Sequence, residues 1–315
     1  MHTNRVLPST IDRNRTGRLV KADIPVTPPQ RADRHSRWED TFPRKHLLAI
    51  MRAFAKSLFE VRPIRGKIEY YRVLIAALAL SIINRAPVHP SSLLKQDVWV
   101  AHRGCLYLLT TQTVFGYYLH AFEPATSKIL DGLRGATFLD IGANVGQYTV
   151  PLSRSFKRVI AVEPNPLAVE ILKENLARND IRNVDVIPKA VTAVSGLVSL
   201  YRGGYLTTWN TREGKATGIT VQSVTLDELL QQCGNVDLLK MDIEGAEREV
   251  LSSSEGLKKV SRISVAGTSS ELKQVRSLLE GLGFHVSIPQ SSWGIEENAY
   301  AVPRDHAQPA RIGET

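Results

Sequence analysis

The sequence predicts an α/β protein: an open, doubly wound, largely parallel sheet preceded by a helical N-terminal module. Three observations carry this. An apolar run, Thr137 to Ile141, holds one acid, Asp140, and is followed by the small-residue turn Gly142-Ala143-Asn144-Val145-Gly146. Helical periodicity then resumes through Tyr148, Leu152 and Phe156. About twenty residues on, a second apolar run, Arg158 to Val162, ends in Glu163-Pro164-Asn165. Beyond that point, helical and strand periodicities alternate almost to the C-terminus.

Taken in order, the first 43 residues are rich in Arg, Pro, Ser, Thr and Asp, with Pro8, Pro25, Pro28, Pro29 and Pro43 breaking any regular pattern, and they read as a disordered arm. Residues 44–122 read as a helical entry module. Within it, Leu47, Met51, Phe54, Leu58 and Val61 recur at helical steps opposite Arg52, Lys56 and Glu60. That amphipathic face has two fates, packing on the catalytic domain or lying on anionic lipid. The apolar segment Val73 to Ile83 is shorter than the about 20 residues of a membrane span and reads as a buried or shallow interfacial helix ended by Pro87 and Pro90. Asp97 to Leu109 alternates like a strand or hairpin, and Phe115 to Phe122 leads on as a helix with Tyr117, Tyr118 and His120.

Residues 123–303 carry the sheet. Leu167 to Arg178 is a helix, Val184 to Val191 a third strand, and Gly196 to Arg202 with Gly218 to Val224 an added hairpin. Thr225 and Glu228 form a capping box for the next helix. Val236 to Met241 is a fourth strand running into Asp242-Ile243-Glu244-Gly245, and a helix follows through Val250 and Leu251. Arg262 to Ala266, the helix Ser270 to Leu282, and the strands Phe284 to Ile288 and Ala299 to Val302 complete it, with 304–315 as a loose tail.

Charge separates the arm from the rest. The chain carries +9 overall, and its first 65 residues hold 14 Lys or Arg against 6 Asp or Glu, so the remainder is almost neutral. A nucleic-acid enzyme more often keeps its positive charge beside the cleft, and nucleic acid is not the expected partner. The basic N-terminal region either meets an acidic membrane surface or is a solvated tail. Cys105 and Cys233 are far apart, without metal-ligand spacing, and no metal site is identified. A reduced, cytoplasmic setting with possible membrane association is the expectation, since the first residues hold no secretory apolar run. Oligomeric state is not legible.

The turn after the first strand speaks for a particular ligand. It reads D-x-G-x-x-x-G, not the G-x-G-x-x-G that turns helix-end amides toward a pyrophosphate. Asp140 is badly placed for an anion and well placed for a positive group. S-adenosylmethionine (SAM) has two, an ammonium and a sulfonium. Asp140 is therefore assigned to the methionine end, Gly142, Asn144 and Gly146 to the loop around it, and Glu163 to the ribose hydroxyls. The plainer alternative is that Asp140 and Glu163 merely close two strands.

These segments resemble a known family. Phe138 to Thr149, Val162-Glu163-Pro164-Asn165-Pro166, Thr225-Leu226-Asp227 and Leu239 to Glu247 are similar to the motifs of FkbM-type SAM-dependent methyltransferases, in the same order. The resemblance implies a class I methyltransferase (Rossmann-like) fold with seven strands, the last antiparallel. It also implies methyl transfer to a hydroxyl of a sugar, glycolipid or secondary metabolite. One departure stands out: Ile263 to Ser269 lacks the acid and histidine that often end the strand there.

A hydroxyl is a poor nucleophile until its proton is taken, so a base is expected beside the methyl group. Asp242 and Glu244, two apart at a strand end, are the candidates, with Lys240 on the same side to neutralise or orient. Alternatively the three form an ion-paired strand end, with Glu247 structural at the next helix. Two rivals remain: a catalytically silent scaffold that binds a membrane or partner, and a nucleic-acid methyltransferase.

Overall fold

The computed structural model describes residues 62–84, 93–110, 123–202, 209–210, 218–290 and 298–306. The basic arm, the amphipathic stretch 45–61, Pro87 and Pro90, the segment with Tyr117, Tyr118 and His120, most of the loop from Gly203 to Gly218 and the tail from 307 lie outside these residues.

The central sheet has seven strands: β4 (Gly135–Ile141), β5 (Phe156–Val162), β6 (Val184–Ile187), β11 (Leu238–Met241), β12 (Ile263–Val265), β13 (Phe284–Ser287) and β14 (Ala299–Pro303). Their order across the sheet is β13-β14-β12-β11-β4-β5-β6. β14 runs antiparallel to both neighbours, and the other pairs are parallel. The sheet's last strand in sequence is thus the reversed one, and the order turns around beside β4. In an open parallel sheet this reversal opens a crevice at the strand carboxyl ends.

The helices that cover the sheet form where expected, with local reasons visible. α4 (Pro166–Arg178) opens on Asn165, whose side chain accepts from the Leu167 N–H, with proline at its first position. α5 (Leu226–Cys233) has the capping box of Thr225 and Glu228, and α7 (Ser269–Gly281) has a second, of Thr268 and Glu271. α6 (Glu247–Ser252) is short. Against α5, α6 and α7, one face of the sheet buries Leu139, Ile141, Leu239, Met241, Ile263 and Val265.

Three expectations change. The helix after the turn is α3 (Thr149–Leu152), a single turn, because Phe156 already begins β5. The apolar run read as one third strand divides: β6 stays in the main sheet, while β7 (Ala190–Val191) pairs with β10 (Ile219–Val224) in a second sheet, with β8 (Gly196–Arg202) and β9 (Trp209–Asn210). The fourth strand starts at Leu238, with Val236 making only an isolated bridge to Val260. The first residues after β14, Arg304 to His306, form a 3₁₀ turn, and the Arg304 N–H donates to Gly283 O.

Ahead of the sheet lie β1 (Arg62–Arg65), α1 (Lys67–Asn84) and the hairpin β2 (Val98–His102) and β3 (Cys105–Leu109), with a further helix, α2 (Pro124–Asp131), leading into β4. The hairpin turns on Arg103 and Gly104, both at positive φ, which matches the twist of the paired strands. It is tied to α4 by polar side chains. Asn175 Oδ1 accepts from the Leu108 N–H at 2.8 Å and Asn179 Oδ1 from the Leu106 N–H at 2.8 Å.

Candidate active site

Matched positions on neighbouring strands put their side chains on one face of a sheet. Asp140 is in register with Lys240, Lys240 with Ser264, and Ser264 with Tyr300. This polar row faces α2 and α3, opposite the apolar face under α5, α6 and α7. Asp140, Lys240 and Ser264 are all buried.

Lys240 is the hub. Its Nζ lies 3.3 Å from Asp242 Oδ2 and 5.2 Å from the centroid of the Tyr148 ring, a cation–π distance. Burial alone would push the ammonium down, but Asp242, Asp140 and Glu123 outweigh it and hold it above the ordinary lysine range. Asp140 Oδ2 accepts from Thr149 Oγ1 at 2.6 Å, while its Oδ1 is buried with no hydrogen-bond partner. Burial pushes this carboxyl up, against the pull of Lys240 and the Thr149 bond. Tyr148 Oη donates to Glu123 Oε2 at 2.5 Å. One buried cation thus faces three carboxylates.

Glu163 closes β5 and ties the two strand-end loops together. Its Oε2 accepts from the Asn144 N–H and its Oε1 from the Asn165 N–H, both at 2.8 Å. Each oxygen keeps a second lone pair. Burial raises this carboxyl to about 7, with the two N–H bonds opposing. Asn144 has φ 49, and its buried Oδ1 has no hydrogen-bond partner.

The two glycines of the turn make room for neighbouring protein atoms. A Cβ on Gly142, at φ 78, would sit 1.8 Å from the Asp242 carbonyl oxygen. On Gly146, at φ 94, it would sit 2.7 Å from Leu172 Cδ1 and 2.8 Å from Val150 Cγ2. Both therefore admit neighbouring protein atoms, and the crossing of the β4 and β11 loops depends on Gly142.

The catalytic candidates are only partly brought together. β11 ends at Met241, so strand alternation does not place Asp242 and Glu244. Asp242 follows the strand with its side chain 37% exposed, held by Lys240. Glu244 lies in the loop at φ 59 and is exposed. Desolvation by the surrounding chain and the carboxylates of Asp242 and Glu247 nonetheless push it up to about 7. Glu247, read as structural, accepts from the Ile243 N–H at 2.8 Å and is buried. Thr149, Glu123 and the Tyr148 hydroxyl were missed as polar partners, for no spacing pattern links them to Asp140 or Lys240.

Residues 140–286 match the family model described as the methyltransferase FkbM domain. That stretch starts on Asp140 and contains Glu163, Lys240, Asp242 and Glu244. Over this stretch, somewhat less than half of the chain, the protein is similar to methyltransferase FkbM domains. Among curated relatives, the chain is 26% identical over 200 residues to the methyltransferase sdnD of Sordaria araneosa, covering 50% of this chain and 77% of that one. It is 39% identical over 51 residues to a probable ribosomal RNA small subunit methyltransferase A of Methanosphaera stadtmanae, covering 16% of this chain and only 19% of that one. Trm5b from Pyrococcus abyssi overlaps 66% of this chain and 55% of its own at 15% identity, with a TM-score of 0.41. The fold assignment rests on the strand order itself, six parallel strands and a reversed seventh.

The residues of this matched stretch fit SAM. Surplus negative charge surrounds the end of β4, one Asp140 oxygen and the Asn144 side-chain oxygen are buried and unpaired, and Glu163 keeps acceptor capacity. A ligand carrying an ammonium, a sulfonium and a ribose answers each of these needs.

Proposed function

We propose that this chain is a SAM-dependent O-methyltransferase acting on a hydroxyl of a glycan, a glycolipid or a related secondary metabolite. The observation that carries the reading is the excess of carboxylates around Lys240, with Asp242 open at the mouth of the crevice. SAM, when bound, supplies an electrophilic methyl group. Asp140 and Asn144 hold its amino-acid end and Glu163 its ribose. Lys240, buried beneath, fixes the Asp242 carboxylate and leaves its outer face to orient the acceptor through a hydroxyl other than the reacting one. Glu244, with a carboxyl that titrates near neutrality, takes the hydroxyl proton as attack proceeds, since a base works best near the operating pH. Tyr148 and Thr149 keep Lys240 and Asp140 in place.

Mass spectrometry of small metabolites, lipids and glycans from cells with and without the protein tests the substrate class. A methyl missing from a carbohydrate or lipid hydroxyl supports the reading, and one missing from RNA, DNA or protein overturns it. With the acceptor in hand, Asp242→Asn and Glu244→Gln should each lower turnover by roughly 100-fold or more, while the calorimetric SAM affinity stays near that of the unaltered protein. Turnover retained in both variants removes the acid–base assignment.

A further inference from the structure

Beyond Arg72, helix α1 is uncharged and almost wholly apolar, yet among the described residues it packs on one side only. Its inner face, Tyr70, Val73, Leu74 and Ala77, is buried, whereas Ile68, Ile75 and Ile83 are 87%, 63% and 73% exposed. With Tyr71 and Ala79, also exposed, these positions recur at steps of three and four and form a single stripe about 22 Å long. No charged residue occurs between Arg72 and Arg85. A helix face meant for water carries charge, and an all-apolar helix belongs either in a core or in lipid. None of the helices of the described residues is long and apolar enough to cross a membrane.

The charges at the start of the helix choose between partners. Arg62, Arg65 and Lys67 are exposed, and their side chains join none of the ion pairs among the described residues. The only acid of α1, Glu69, is buried and bonded to Arg72 at 2.7 Å, so it neutralises none of them. The helix N-terminus adds its own partial positive charge. A second copy of this face would bring the same cations and no acidic side chain to meet them.

We propose that this face of α1 seats the protein on an anionic lipid surface. The helix lies in the membrane plane, with the isoleucines in the acyl boundary and Arg62, Arg65 and Lys67 among the lipid phosphates. This places the contact on α1, not on the basic arm.

Flotation of the full chain with vesicles of phosphatidylcholine, alone or mixed with phosphatidylserine, tests it. The unaltered protein should float only with the mixed vesicles. The triple variant Ile68→Ser, Ile75→Ser, Ile83→Ser and the triple variant Arg62→Ala, Arg65→Ala, Lys67→Ala should each bind at least about tenfold more weakly, with melting temperatures close to that of the parent. Three outcomes overturn the proposal: no binding by the unaltered protein, undiminished binding by the isoleucine variant, which assigns the contact to the arm, or a concentration-dependent dimer that the isoleucine variant abolishes.

Discussion

Glu163 is a carboxyl whose two roles conflict in the cofactor-free protein. It accepts two backbone N–H bonds, yet burial raises it from 4.5 to about 7. The native state therefore holds this proton more tightly than the unfolded chain, and the stability linked to it is full below about pH 4.5 and lost as pH rises through about 7. Urea denaturation across this range should show Glu163→Gln losing less stability with rising pH than the parent. SAM binding should run the other way, because ribose hydroxyls donate to the ionised carboxylate. Calorimetric affinity should rise through pH 7 in the parent and stay nearly flat in Glu163→Gln. A parent affinity independent of pH would remove Glu163 from the ribose site.

At the scale of elements, the loops after β4 and β11 cross so closely that one residue type fits. Gly142 combines φ 78 with a carbonyl oxygen 1.8 Å from where a Cβ would stand. The neighbour is backbone, so it cannot swing aside as a side chain does. Gly142→Ala should cost on the order of 3 kcal/mol or more, from left-handed strain plus the displaced Asp242 loop. Thermal melting measures the loss. It should fall on the β11 loop as well as the β4 loop, and turnover should drop further than stability alone explains, because Asp242 moves with it. A melting temperature unchanged in Gly142→Ala would show that the crossing has room for a Cβ.

Across the whole molecule, Asn175 links the N-terminal hairpin to the cofactor loop. It is fully buried on α4, where Oδ1 accepts from the Leu108 N–H of β3 and Nδ2 donates to Val145 O in the turn after β4, both at 2.8 Å. Asn175→Ala leaves a buried donor and a buried acceptor unpaired, at about 1–3 kcal/mol each. The variant should unfold at lower denaturant concentration and bind SAM more weakly, although the hydrogen bonds of Asp140 and Glu163 do not involve residue 175. Hydrogen exchange should show faster exchange at both Leu108 and the Val145 turn. Faster exchange at only one of them would show that the hairpin and the loop are not coupled through this side chain.

Much of the fold was legible because its signals are local. Apolar runs ending in Asp140 and Glu163, the Thr225–Glu228 box and the alternation from Asp97 to Leu109 each declare themselves within a few residues, since hydrophobic periodicity and capping act at that range. The sequence alone therefore determined the order in which the main strands and helices appear and the resemblance to a family. Only the tertiary structure decided what those residues touch. Register across three strands sets Lys240 between Asp140 and Ser264, and loop crossing makes Gly142 a packing residue. The end of β11 at Met241 takes Glu244 off the strand, and the packing of α1 leaves its isoleucines bare. Each depends on contacts between segments far apart in the chain, whose geometry is set by the packed sheet and not by neighbours in sequence.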